Sequence, residues 1–316
     1  MNISTPIAIS CPLCHSNDVE ILDTLKSIDL VDLYQAKLAL DISRYVTSDI
    51  RYLHCKRCDL GFFDPCPMGD AEFYETLQAN PWYYMDEKPE YDLVQDFIIN
   101  NVKGSVLEIG GGSGHFAKKI ADHVTYTGLE FNQLAIQKAR LNGITMIRQS
   151  IEEHSDVCVN EYDCVVSFQV LEHISCPSLF VASSIKALKK GGYLVIAVPN
   201  KDGVVGKMTN IPLDMPPHHA THWRRSTLSY FEKFDLDVVE IIAENVSLQH
   251  NLLAQKYLFL IKFFPFVFNN NRLINNSFLY SALNFTSSIA ARIMPTRADV
   301  FNNLQGHTII GIFKKR

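Results

Sequence analysis

From residue 105 onward the apolar positions gather into short β-rich runs separated by helical stretches. The runs are "SVLEIG" (105–110), "TYTGLE" (125–130), "ITMIRQ" (144–149), "YDCVVSFQ" (162–169), "GYLVIAVPN" (192–200), "LDVVEIIAE" (236–244) and "HTIIGIF" (307–313). Between them fall "HFAKKIADH", "NQLAIQKARLNG" and "PSLFVASSIKALKKGG", the last stopped by its glycine pair. Strands alternating with helices predict an α/β fold, an open and largely parallel sheet of seven strands with helices on both faces.

A different pattern fills residues 251–304, between the sixth and seventh runs. The segment is aromatic and aliphatic, yet Lys256, Lys262 and Pro265 interrupt its most apolar part. The charge-free run from Leu273 to Ala291 is too rich in Asn, Ser and Thr for a spanning helix. Two readings stay open, a helical cap or homodimer surface, and an interfacial surface meeting a membrane. The expected organisation is a zinc-binding domain over 1–70, a helical linker or lid over 71–100, and a core over 101–250. The apolar helical insert over 251–304 and the last core strand over 305–316 follow.

The chain has 316 residues, 47% of them hydrophobic and 20% charged, an ordinary globular balance with room for a large core. Its net charge of −5 argues against a general affinity for nucleic acid. The start "MNISTPIAIS" lacks the basic residues and long apolar run of a signal peptide, so a cytoplasmic location is expected.

That location needs a non-disulfide reading of the eight cysteines. Four form two C-x-x-C pairs, Cys11/Cys14 and Cys55/Cys58, while Cys66, Cys158, Cys164 and Cys176 are scattered. Two such turns aim four thiolates at one point and make a tetrahedral shell suited to Zn2+. The 40 residues between the pairs must fold between the knuckles. A closed shell leaves no open coordination position, which implies a structural metal. Iron, or no metal at all, are the other readings.

The first run of the core leads into "EIGGGSGHF", which sets Glu108, Gly110, Gly112 and Gly114 as E-x-G-x-G-x-G. Glycines there let backbone pass close to a ligand between strand and helix. A dinucleotide fingerprint would require glycine where this chain has His115, which argues against NAD. Such a loop alone can be only a tight turn. Its weight rises with Glu130 at the end of the second run, where an acid can accept both ribose hydroxyls of an adenosine ligand.

The arrangement resembles the class I S-adenosylmethionine-dependent methyltransferases, whose fold is Rossmann-like. "YDCVVSFQVLEH" and "LKKGGYLVIAVPN" are similar to that family's fourth strand with its turn and to its fifth strand, and "GHTIIGIFKK" to its antiparallel last strand. The resemblance implies S-adenosylmethionine as cofactor, with Glu108 and the Gly110–Gly114 loop on the methionine part. It further implies Glu130 on the ribose, Phe131 and Ile151 at the adenine, and Gln169 with Val170 on the methionine side. Before the core, "NPWYYMDEKPEYD" carries aromatics that either pack onto the domain or form a lid, with Tyr84 or Tyr91 near the sulfonium.

After the fifth run comes "PLDMPPHHATHWRRSTL". Segments leaving the carboxyl ends of strands form the ligand crevice of open α/β sheets, which puts His218, His219, His222 and Trp223 over the methyl group. The stretch is similar to loops of bacterial methyltransferases from polysaccharide and natural-product clusters. More distantly it resembles zinc-containing deoxysugar C-methyltransferases. These likenesses imply His219 as general base, with His218 and His222 positioning it or the substrate and His173 lining the same cavity. A divalent metal on His218 and His222, and a purely structural cluster, are the alternatives. The expected acceptor is a sugar, as nucleotide sugar or glycan precursor, methylated on oxygen in preference to carbon. A quinone or other lipid-like phenol is the second enzyme reading. An inactive zinc-containing binding module is the reading from another class.

Overall fold

The seven-stranded sheet of the computed structural model has the order β10-β11-β8-β7-β4-β5-β6. The strands are β4 Ser105–Ile109, β5 Thr125–Leu129, β6 Met146–Ile147, β7 Tyr162–Phe168, β8 Leu188–Pro199, β10 Leu236–Asn245 and β11 Gln305–Lys315. β4 to β8 are parallel, and β11 runs antiparallel to both of its neighbours. All seven runs read from the sequence are strands. The structure describes residues 9–78, 83, 87–246, 250–265, 272–293 and 304–316.

The strands are apolar throughout because both faces of the sheet are covered. Successive residues point to opposite sides. Thus Val165, Leu194 and Ile196 enter one buried cluster, while Val166, Val195 and Ala197 enter the other. Helices α3 (Pro89–Asn101) and α4 (His115–Ile120) pack together on the second side. Helices α5 (Gln133–Leu141), α6 (Ile151–Val157) and α7 (Pro177–Ala187) complete the crossovers. α7 is shorter than its apolar stretch suggests. Leu188 is already extended and pairs with Tyr162, and the Lys315 ammonium donates to the carbonyls of Ile185 and Leu188 at 2.8 and 2.7 Å.

The N-terminal part is a second sheet, β1-β2-β3-β9, built from β1 (Val19–Leu25), β2 (Ile50–Cys55), β3 (Gly61–Asp64) and β9 (Thr221–His222). Helix α1 (Ser27–Leu38) fills most of the spacer between the cysteine pairs, and α2 (Ala71–Gln78) follows β3. The fourth strand comes from the histidine segment, more than 150 residues later, pairing Gly61 with His222 and Phe62 with Thr221. A Cβ on Gly61 would lie 3.0 Å from that of His222 and 2.5 Å from the Tyr52 hydroxyl, so this approach needs glycine. The N-terminal unit therefore shares its sheet with the core. It also shares a buried cluster, where Leu13, Leu53, Leu60 and Phe62 join Trp223, Leu228 and Phe231.

Helix α8 (Arg225–Ser229) leads into β10, and the 251–304 insert contributes α9 (Asn251–Phe263) and α10 (Phe278–Ile293), packed on each other. Phe263, Phe278 and Phe285 stay exposed there. No helix among the described residues is long and apolar enough to cross a membrane.

Candidate active site

A cleft of about 2320 Å³ opens at the carboxyl ends of the parallel strands, where chain connections leave β4 in opposite directions. Gly110, Gly112, Glu130, Phe131, Ile151, Gln169, Val170, His173, His218, His219 and His222 line it, while Gly114 packs against Ile144.

On one side the loop is built around backbone that no side chain could follow. Gly110 has φ +75°, and a Cβ there would meet the Val170 side chain at 2.4 Å. Gly112 (φ +53°) has nothing within 4 Å of its missing Cβ, so its backbone is open to a ligand. Glu130 organises the turn. One oxygen accepts the Gly112 N–H at 2.9 Å, and the other accepts those of Phe131 and Asn132 at 2.7 Å each. The oxygen that accepts Gly112 keeps a lone pair for a further donor, whereas the other is filled by its two backbone N–H groups. Glu108 is buried behind the loop and accepts the Tyr126 hydroxyl at 2.5 Å. Burial pushes its carboxyl up to about 7, against the pull of that hydrogen bond. Ser150 caps α6 in a reciprocal box with Glu153, leaving Ile151 as the apolar wall. Phe131 stands 60% exposed at the rim.

Tyr91 does not face the cleft as the lid reading required. Its ring packs against Phe116 and Phe168 in the core, at 5.3 and 4.9 Å between centroids. The residue before it does the facing. Glu90 is buried, lines the cleft and accepts from the Gln169 amide at 3.0 Å. Tyr84 lies outside the described residues. Among the described residues of the 71–100 segment, Phe73, Tyr74 and Tyr83 reach the histidines.

On the other side the histidines separate into different roles. His218 donates from Nδ1 to the Leu213 carbonyl at 2.8 Å, which fixes its tautomer and leaves Nε2 to accept the Tyr83 hydroxyl at 2.9 Å. Its own carbonyl takes the Nδ1–H of His173 at 2.7 Å, so the His173 Nε2 lone pair faces the cleft. Burial drives both imidazoles down, His173 to about 3 and His218 well below its ordinary value. They are neutral. His219 stacks on His218 at 4.6 Å and lies edge-on to His173 at 5.0 Å.

His222 has both nitrogens committed, Nδ1 to the Tyr52 hydroxyl at 2.8 Å and Nε2 to the Asp214 carbonyl at 2.6 Å. Burial lowers it to about 4. It braces Asp214 and has no lone pair for a metal, which removes the His218–His222 metal pair. Trp223 turns fully into the core, edge-on to Phe231, with its indole N–H on Thr221. It is a packing residue and not a cover for the methyl group.

Asp214 is the residue that motif reading missed. Lys201 pairs with it at 2.7 Å, both side chains being largely buried, and His222 Nε2 lies 3.3 Å away. His219 Nδ1 stands 3.5 Å from the same carboxylate and has no direct hydrogen bond. Burial opposes ionisation of Asp214, but His222 and Lys201 together hold its carboxyl well below the usual range. Only the proximity of an acid to "PPHH" in the sequence could have flagged it.

Among the described residues two groups have the composition of a metal site. Cys11, Cys14, Cys55 and Cys58 have all four sulfurs within 4.8 Å of one another, with Cys11–Cys58 at 3.5 Å and Cys14–Cys55 at 3.4 Å. A tetrahedral zinc–thiolate shell has edges of about 3.8 Å. Both knuckles close alike, His15 N–H on the Cys11 carbonyl and Asp59 N–H on that of Cys55, at 2.9 and 2.8 Å. The residues fit a structural Zn2+. The second group is His173, His218 and His219, in which His218 has both nitrogens already engaged.

The second knuckle reaches the histidine segment directly. The Asp59 carbonyl accepts from Thr227 at 2.9 Å and Arg224 at 3.2 Å, and its carboxylate accepts from Ser226 and pairs with His54.

The parts gathered here are a nucleotide-type loop, an acid at the second strand, and a histidine shelf opposite them on a Rossmann-like sheet. Residues 82–241 match a family model described as a methyltransferase domain, and the chain belongs to that family. It is similar to ubiquinone biosynthesis O-methyltransferases. The Erwinia tasmaniensis protein is 30% identical over 149 residues, 42% of this chain and 61% of that protein. A Vibrio cholerae protein is 29% identical over 144 residues, 42% and 54% of the two. The match thus spans little more than half the length of these relatives. Among solved structures, an S-adenosylmethionine-dependent methyltransferase from Archaeoglobus fulgidus aligns over 71% of this chain and 94% of its own, with a TM-score of 0.46 and 16% identity.

Proposed function

We propose that this protein is an S-adenosylmethionine-dependent O-methyltransferase in which His219 is the general base. The observation that carries the reading is the joint lining of one cleft by the Gly110–Gly114 loop with Glu130 and by the His219–Asp214 pair. Bound S-adenosylmethionine supplies an electrophilic methyl group on a sulfonium. The loop backbone and Glu130 offer donors and acceptors to the methionine and ribose parts. Phe131 and Ile151 offer the apolar slot for a base.

A hydroxyl acceptor must lose its proton as the methyl is transferred. Of the shelf imidazoles with an open nitrogen, His219 and His173, His219 is the one beside the Asp214 carboxylate. Asp214 favours the proton once it arrives on His219, and Lys201 and His222 hold Asp214 in place. Holding the acceptor in line supplies much of the remaining acceleration. The names of the relatives favour oxygen as the methylated atom, and they favour a quinone or other lipid-like phenol over a sugar. That preference rests on the shared 82–241 part and carries nothing of the N-terminal unit behind the histidine segment. Cytoplasmic placement and a structural zinc belong to the same proposal.

The test is methyl transfer by the purified chain, read by mass spectrometry on nucleotide-sugar and phenolic pools. His219→Ala should keep cofactor affinity within about twofold and lose ~10²–10⁴ in turnover. Unchanged turnover would remove the base assignment. Absence of cofactor binding by the wild type would remove the methyltransferase reading itself.

A further inference from the structure

The two halves of the cleft differ in how their buried polar atoms are satisfied. In the cofactor half, Glu108 is bonded to Tyr126, and Glu130 to three backbone N–H groups. In the acceptor half, Glu172 is 2% exposed and its Oε2 has no hydrogen-bond partner; its other oxygen lies 3.7 Å from His173 Nε2. The adjacent wall adds two further carboxylates, each holding a hydrogen bond. Glu90 is buried, and Glu244 is partly buried and accepts the His307 N–H at 2.6 Å. The Gln169 amide, between Glu90 and Thr308 at 3.0 and 3.4 Å, is committed to the protein. His219 Nδ1 and His307 Nδ1 are buried without partners.

The wall is rich in carboxylate oxygens and imidazole nitrogens, and the buried Glu172 Oε2 has no partner. Burial and the nearness of Glu90 both push Glu172 and Glu244 up, Glu172 to about 7. Two cations face the same space. Lys201 is committed to Asp214, and Lys88 lies over the Tyr91 ring while partly offsetting Glu172. A buried acceptor without a donor is costly, more so when charged, and Glu172 Oε2 is such an atom. A lipid-like phenol brings one donor and much apolar surface, and would leave that cost in place. A ligand rich in hydroxyls, with a cationic nitrogen for the carboxylates, would remove it.

Resting on the methyltransferase reading above, we infer that the acceptor is a polyhydroxylated small molecule carrying a protonated amine, of the amino-sugar class, with its amine at Glu172 and Glu90 and its hydroxyls toward Glu244, Thr308 and the histidines. The experiment is calorimetric titration of the full-length, S-adenosylhomocysteine-loaded protein with glucosamine, glucose and catechol as probes. Glucosamine should bind more tightly than glucose and catechol. Glu172→Gln should weaken glucosamine about tenfold or more and leave the other two probes unchanged. Glu244→Gln provides a second variant should the first fail to fold, and retained cofactor affinity reports folding in both.

Binding of catechol as tight as glucosamine, equal binding of glucose and glucosamine, or failure of all three on cofactor-loaded protein overturns the inference. So does stoichiometric uptake of a divalent metal by the acceptor half, read as metal beyond the cysteine site and lost in His173→Asn. Failure to bind S-adenosylhomocysteine would instead overturn the methyltransferase reading, so the two failures are distinct.

Discussion

The cofactor half and the acceptor half of the cleft are made in opposite ways. The cofactor half is local. Gly110, Gly112 and Gly114 follow β4 in five residues, and Glu130 reaches back to Gly112 from the next strand in the sheet. The acceptor half is assembled from distant parts. Tyr34 and Tyr52 come from the N-terminal unit and hold Met215 and His222 by hydrogen bonds of 2.9 and 2.8 Å, while Tyr74 and Tyr83 bear on His218. A ligand shared by many enzymes can be met by backbone in one turn, whereas an individual acceptor needs side chains brought from several elements. The N-terminal cysteine unit thus supports the histidine segment from behind.

Several perturbations would break or sharpen this contrast. The largest effect is expected from the cysteines. Metal binding and folding of such a knuckle are linked, so losing the ligands releases β3 and with it β9. Cys55→Ser, or metal removal by a chelator, should abolish turnover while the protein still binds S-adenosylhomocysteine. Metal content by mass spectrometry and cofactor affinity by calorimetry check this together, and retained turnover in the metal-free protein would make the unit an appendage.

Asp214→Asn comes next. It strands Lys201 beside a neutral amide and removes the anion next to His219, so turnover should fall ~10²-fold or more with a clear loss of stability. Steady-state kinetics and thermal melting measure both. An unchanged rate would deny Asp214 its role beside the base. Glu130→Ala acts on the other half. It removes three charge-assisted hydrogen bonds from the loop, and cofactor affinity should drop ~10–100-fold. The shape of the pH–rate profile, set by the acceptor half, should not move.

The smallest effect is on acid stability, and its sign can be worked out. His218 and His222 are buried and His173 and His307 partly so, which holds His173 down to about 3, His218 well below its ordinary value, and His222 and His307 to about 4. Below pH ~6.5 the unfolded chain binds protons that the folded chain refuses, so these four lose stability as pH falls. Glu108 and Glu172, both raised to about 7, do the reverse between about 4.5 and 7. Glu244 is raised as well, and the four imidazoles still outnumber these three carboxyls; all four lie in the acceptor half. Between pH 7 and 5 the melting temperature should fall by a few degrees, at ~2–4 °C per kcal/mol. Hydrogen exchange should show the 212–223 segment opening before β4 and β5. Simultaneous opening of both halves would contradict the local reading.

The same division describes what could be read in advance. The seven strands, the glycine turn, Glu130 and the four zinc-type cysteines were legible because each depends on neighbours in sequence. An apolar run makes a strand, and two glycines make a turn. Ile151 and Phe131 came from the family resemblance, and both line the cleft. Tyr91 was misplaced by one position, since α3 turns Glu90 to the cleft and Tyr91 to Phe116. On a helix, adjacent residues face about 100° apart, and composition does not say which of them looks inward.

The amino-acid sequence by itself determined the sheet, the glycine loop and the paired knuckles, because those are set by spacings within a few residues. Only the tertiary structure decided which of the clustered histidines are free. His219 keeps an open nitrogen, while His222 and His218 spend theirs on Tyr52, Asp214, Leu213 and Tyr83. It alone revealed Asp214, Glu90 and Glu172 as cleft residues, and a two-residue strand that ties Gly61 to His222. The physical reason is that an imidazole's protonation and availability are properties of its partners, and these partners come from loops and strands up to 170 residues away in the chain.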